Sequence, residues 1–98
     1  MKISASDQVA AWLTALPPQT KKRVRAALRA LTKGRGDVKG LQGDLEGFSR
    51  LRIGGIRILY RQVSAGEIRL EYANTRDVVY EMFTNFLASR ERDEGPTG

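Results

Sequence analysis

An α+β fold, a helical hairpin packed on a small antiparallel β-sheet in the order β-α-α-β-β-β-α, is what this 98-residue sequence predicts. Three observations carry that prediction. Two amphipathic helical patterns run back to back before residue 32, three alternating segments joined by tight turns lie between residues 48 and 72, and a last apolar stripe recurs at helical spacing beyond residue 77. Two short amphipathic helices cannot build a core by themselves, so their apolar sides must cover the sheet. With 41% hydrophobic and 29% charged residues the body of the chain is globular rather than disordered. The length fits one domain, assigned to residues 1–89, with a charged, breaker-rich flexible tail over 90–98.

The elements follow in order. Lys2-Ile3-Ser4 is a short first strand. Ser6 is a helix cap with Asp7 in the first turn, and Val9, Trp12, Leu13 and Leu16 then form one apolar stripe. Pro17-Pro18 ends that helix, and Pro18 suits the first turn of the next. The second helix places Val24, Ala27, Leu28 and Leu31 on one face and Lys21, Lys22, Arg25 and Arg29 on the others. Gly34, Gly36 and Gly40 form an open loop, and residues 41–47 an irregular extended lead-in. Residues 48–53 alternate, with Leu51 and Ile53 on one side and Phe48, Arg50 and Arg52 on the other. Gly54-Gly55 is a two-residue hairpin signal. Ile56, Ile58 and Tyr60 then point inward, opposite Arg57 and Arg61. After Ser64-Ala65-Gly66, Ile68, Leu70 and Tyr72 share the inner face. This meander has one side for the helices and one polar side. The final helix starts near Asp77 with Val79, Met82, Phe83, Phe86 and Leu87 as its stripe.

The sequence holds no cysteine and no histidine, which excludes thiolate metal sites, cysteine nucleophiles and the Ser-His pair. Chemistry here falls to Arg, Lys, Tyr and carboxylates, and no metal or cofactor is expected. Nothing approaches the ~18 apolar residues of a membrane span, and Met1-Lys2-Ile3-Ser4-Ala5 lacks the apolar run of a signal peptide. A cytoplasmic location with no membrane partner is expected.

The net charge of +6 is unevenly placed. Residues 20–62 carry twelve Lys or Arg against three acids, a local +9, whereas residues 63–98 carry −3. Such a field favours a polyanionic partner; the alternative is a solvated face with ordinary solubility charge. Period two puts Arg50 and Arg52 on one side of their strand, and the Gly54-Gly55 turn folds Arg57 back beside them. Guanidinium matches phosphate in a bidentate fork, so a polyanion would relieve the crowding. Alternatively these arginines pair with Glu46, Glu67, Glu71 or Asp77. Arg76, at the mouth of the last helix, suits an oxyanion there or pairs with Asp77. Tyr80 packs at the core edge or stacks on a base.

The run Gly40-Leu41-Gln42-Gly43-Asp44-Leu45-Glu46-Gly47-Phe48-Ser49-Arg50-Leu51-Arg52-Ile53-Gly54-Gly55-Ile56-Arg57-Ile58-Leu59-Tyr60 resembles the central signature of the RelE/ParE toxin superfamily. Arg76-Asp77-Val78-Val79-Tyr80 is similar to its later R-x-x-x-Y element, and Leu16-Pro17 followed by a basic amphipathic helix also fits. The resemblance spans about residues 2–88.

The resemblance implies a RelE-like fold and a small basic toxin of a type II toxin–antitoxin module. RelE-like members cut messenger RNA in the ribosomal A site by attack of a ribose 2′-OH on the adjacent phosphate. On that basis Arg57 and Arg76 would stabilise the phosphorane charge, and Arg50 and Arg52 would position the backbone and favour the ionised nucleophile. Tyr80 would stack on or orient a base, or donate a proton. Lys21, Lys22, Arg25, Lys39 and Arg61 would be the further RNA contacts. The implied partners are a cognate antitoxin, the ribosome and mRNA, and operator DNA through the antitoxin complex alone. Where relatives carry lysines, Arg50 and Arg52 are poorer proton carriers. The rival implied by the same resemblance is a ParE-type, non-catalytic inhibitor of DNA gyrase; a third reading is a degenerate toxin kept as a complex component. The RNA reading requires guanidinium heads that converge and are not each neutralised by an internal carboxylate.

Overall fold

The computed structural model describes residues 1–75 and 77–93, the last three as backbone only. The elements are β1 (Lys2–Ala5), α1 (Asp7–Thr14), α2 (Pro18–Leu31), β2 (Asp37–Gly40), a 3-10 turn (Gly43–Leu45), β3 (Ser49–Ile53), β4 (Ile56–Ser64), β5 (Glu67–Thr75) and α3 (Val78–Asp93). They form one five-stranded sheet in the order β1-β5-β4-β3-β2.

Local chemistry sets most boundaries. Ser6 Oγ accepts from the Val9 amide at 3.3 Å and donates to the Glu71 carbonyl at 2.8 Å, so one hydroxyl caps α1 and ties it to β5. Pro18 opens α2 at a position whose N–H would have no helical partner. Gly54 has φ +59° in the β3–β4 turn, the left-handed value a two-residue hairpin loop asks of its first residue.

The sheet departs from the expected one in three ways. It is mixed, because β1 runs parallel to β5, pairing Lys2 with Glu67 and Ala5 with Leu70. The strand before the helical pair is the expected first strand, and it forms one rim of the sheet. The loop expected around Gly36 and Gly40 contains β2, which pairs antiparallel with β3, Asp37 opposite Arg52 and Lys39 opposite Arg50. Its four residues are exposed throughout, so no apolar pattern marks it in the sequence. The lead-in is a 3-10 turn that buries Leu45 rather than an extended segment.

The expected polar side of the sheet is half covered. On one face α1 and α2 pack Val9, Val24 and Leu31 against Leu51, Ile53, Ile58, Tyr60, Ile68 and Leu70. On the other, α3 packs Val79 and Phe83 against Leu45, Leu59 and Tyr72. Tyr72 therefore lies opposite Ile68 and Leu70, not beside them. The reason is a bulge: Leu59 pairs with Tyr72 and Tyr60 with Leu70, leaving Glu71 as an extra residue that flips the phase of β5. The α3 stripe is narrower than expected, since Met82 and Phe86 are exposed. Helix α3 continues to Asp93, into the first residues of the expected tail, whose remainder lies outside the described residues. Among the described residues no helix is long and apolar enough to cross a membrane.

Candidate anion-binding site

Register brings three of the predicted arginines together. Arg52 and Arg57 are directly paired across β3 and β4, and Arg50 lies two residues from Arg52 on the same face, opposite Leu59. Across the strands the row reads Asp37, Arg52, Arg57, Asn74; the adjoining row reads Lys39, Arg50, Leu59, Tyr72. Neighbouring strands are about 4.8 Å apart. Two like charges directly opposite one another destabilise a sheet unless counter-charges or a ligand offset them.

Part of the offset is internal. Arg50 Nη2 donates to Asp37 Oδ1 at 2.9 Å, and Arg52 Nε stands 3.5 Å from Asp37 Oδ2, so one carboxylate serves two guanidiniums. Arg57 Nε is 3.6 Å from Asp77 Oδ1, an ion pair too long for a hydrogen bond. Arg57 Nη1 donates to the Gly54 carbonyl at 2.9 Å, which aims the guanidinium at the hairpin turn. The side chains of Arg50 and Arg57 are only 12% and 13% exposed, whereas Asp37 and Asp77 are 57% and 84% exposed. The arginines are thus held by the fold and their counter-ions stand in solvent. Three guanidiniums face two carboxylates, and exposed pairs are weak. The Nε atoms of both Arg50 and Arg57 are buried without a hydrogen bond among the described residues, so the internal carboxylates leave donors unspent.

The other predicted residues disperse. Lys39 is on the arginine face, opposite Arg50. Arg61 is far along β4, held with Arg69 on Glu71 at 2.5 and 3.4 Å. Arg61 is therefore not part of the cluster: the bulge that pushes out Glu71 supplies it with a carboxylate. Lys21, Lys22 and Arg25 sit on α2, on the opposite side of the sheet from the arginines, where with Pro18 and Arg29 they line a shallow groove. Tyr80 is half-buried and packs at the edge of the second core. Its carbonyl accepts from Thr84 Oγ1 at 2.8 Å. Arg76 lies outside the described residues.

Two contributors were not foreseen. Asp37 was hidden because its role depends on a β2 pairing that exposed residues do not announce. Arg23 reaches the β3–β4 turn: a Cβ at Gly54 would stand 3.0 Å from Arg23 Nη2. The turn between Arg52 and Arg57 is thereby packed from behind by a further cation. Of the partners expected for these three arginines, Asp77 does pair with Arg57, whereas Glu71 binds Arg61 and Arg69 instead. Among the described residues no group of three His, Cys, Asp or Glu side chains is placed to hold a metal. What the arrangement can do chemically is grip an oxyanion and stabilise charge that grows on it.

No family model and no curated relative matches this sequence. Solved structures do. The RelB–RelE antitoxin–toxin complex from Methanococcus jannaschii is similar with a TM-score of 0.63 at 19% identity, over 82% of this chain and 98% of that one. The RelBE2 toxin–antitoxin complex from Mycobacterium tuberculosis gives a TM-score of 0.65 at 24% identity, over 76% and 90%. The YoeB/ParE toxin from Agrobacterium tumefaciens gives 0.58 at 19%, over 78% and 99%. These likenesses cover nine-tenths or more of each neighbour, and on that ground the chain has the fold of the RelE and YoeB/ParE toxins.

Proposed function

We propose that this protein is the toxin of a type II toxin–antitoxin module and acts as a ribosome-dependent mRNA endonuclease in the cytoplasm. The observation that carries the reading is the cross-strand pairing of Arg52 with Arg57, with Arg50 beside them on the same face of the sheet. A ribose 2′-OH attacks the adjacent phosphate, the 5′-oxygen leaves, and a 2′,3′-cyclic phosphate and a 5′-OH result. Arg57, fixed by the Gly54 carbonyl, stabilises the extra charge of the phosphorane; Arg50 and Arg52 hold the backbone. Lys39 extends the grip along β2, and Tyr80 orients a base from the start of α3. Arg76 is assigned to the phosphorane with Arg57 on the motif alone. Lys21, Lys22 and Arg25 form a second basic surface for ribosomal RNA. A cognate antitoxin covers the arginine face, and operator DNA is reached through that complex; the likeness to the RelB–RelE and RelBE2 antitoxin–toxin complexes supports this partner.

The test is primer extension on translated message with purified protein and ribosomes. A-site cuts are expected, and Arg57→Ala should lower the cleavage rate on the order of 10²–10³-fold while leaving the fold intact. Translation arrest without cuts overturns the nuclease assignment.

A second reading is favoured by one observation, that the three arginines share two internal carboxylates, which neutralise them in part. On that reading the cluster faces a protein, as in a ParE-type gyrase inhibitor. Inhibited supercoiling with intact mRNA would select it.

A further inference from the structure

Among the described residues Asp37 is the acid that holds Arg50 and Arg52 on the β2 side of the arginine face, and its position is unusual. It pairs in register with Arg52 but reaches diagonally to Arg50, so a single carboxylate spans the two guanidiniums. A phosphodiester offers the same two-oxygen geometry to the same donors. Both ligands cannot occupy Arg50 Nη2 and Arg52 Nε together.

The protein's own carboxylate is also built to leave. Asp37 is more than half exposed, whereas Arg50 is largely buried and stays where the sheet holds it. β2 is a four-residue rim strand with every residue exposed. It starts beside Gly36, whose φ of +133° only glycine adopts without strain, and ends at Gly40. A short rim strand between glycines opens at low cost compared with the central strands.

We infer that Asp37 is the specificity-determining residue of the anion site, a resident phosphate mimic that a single-stranded RNA backbone must displace. It lowers affinity for weak anions and leaves the arginines preorganised for a ligand that contacts several of them at once. The inference rests on the backbone-gripping reading of the arginine face.

The test uses the full chain and a labelled 12-nucleotide RNA with 2′-O-methyl riboses, which lacks the nucleophile, followed by fluorescence anisotropy over a salt series. Asp37→Asn keeps size and hydrogen-bonding capacity and removes the charge. It should bind roughly 2–5-fold tighter, the effect of one half-exposed charge contact. Its slope of log K against log salt should stay the same, because the same phosphates are neutralised once Asp37 has been displaced. Asp37→Ser should behave alike. In the unmodified chain the Asp37 carboxyl ¹³C resonance should move on titration while that of Asp44, on the 3-10 turn, stays. Equal or weaker binding by the variants, or an unmoved Asp37 resonance in a chain that binds, overturns the inference and leaves the grip standing. No binding by any form sinks the backbone-gripping reading and the inference with it.

Discussion

Tyr60 shows how a single side chain couples the core to pH. It is buried between the sheet and the helical pair, and burial raises its phenol above the ordinary 10.0, an effect opposed by a hydrogen bond with Ser49. A raised value means the folded chain holds the proton more tightly than the unfolded one. Tyr60 therefore contributes full stability below about pH 10 and loses it as pH rises further. Urea midpoints measured from pH 8 to 11.5 should fall above pH 10 in the native sequence. Tyr60→Phe should flatten that fall while costing about 1 kcal/mol at pH 8 through the lost Ser49 contact. At this same scale the sequence told part of the truth. The inward phase of Tyr60 and the shared side of Arg50, Arg52 and Arg57 follow from period-two alternation on either side of Gly54-Gly55. The Asp37 partner does not, because it depends on a pairing between strands far from any local pattern.

Among the elements, α3 decides what the arginine face looks like. It covers Leu59 and Tyr72, while Arg52 stays half exposed and Arg57 is largely buried. Its anchor is Phe83, 5.1 Å edge-to-face from Phe48 and 5.5 Å from Tyr72. Phe83→Ala should destabilise the chain by about 3–5 kcal/mol, read as a lowered urea midpoint, with loss of helical circular dichroism preceding loss of the sheet signal. The helix was legible from its 3.6-residue spacing, but its side of the sheet was not. That choice is set by the Glu71 bulge, which turns Tyr72 to the α3 face, and a bulge leaves no mark in an alternating sequence such as Glu67–Tyr72. The parallel pairing of β1 was equally hidden, since nothing local to Lys2–Ala5 names a partner more than sixty residues away. Both helices of the hairpin, by contrast, were readable from Ser6, Pro17-Pro18 and their apolar stripes, because those signals act within one or two turns.

For the whole molecule, the sheet separates two cationic surfaces, the α2 side with Lys21, Lys22 and Arg25 and the opposite side with the arginine row. The +6 net charge thus surrounds the sheet instead of facing one way, a distribution that draws the chain toward large polyanions from several directions. What keeps the two sides in fixed relation is the seam where α1 meets β5. Beyond Ala5, where β1 stops, Gln8 of α1 takes over: its Nε2 donates to the Ala73 carbonyl at 2.7 Å and its Oε1 accepts from the Ala73 amide at 2.9 Å. A side-chain amide here imitates the next residue of a strand. The Ala73 amide proton is consequently released to deuterium when the first helix lifts away, even with every strand still zipped. Replacing Gln8 by Ala should accelerate exchange at that one position far more than at Leu70, which makes Ala73 a reporter, readable by NMR, of how often the two halves of this protein come unfastened.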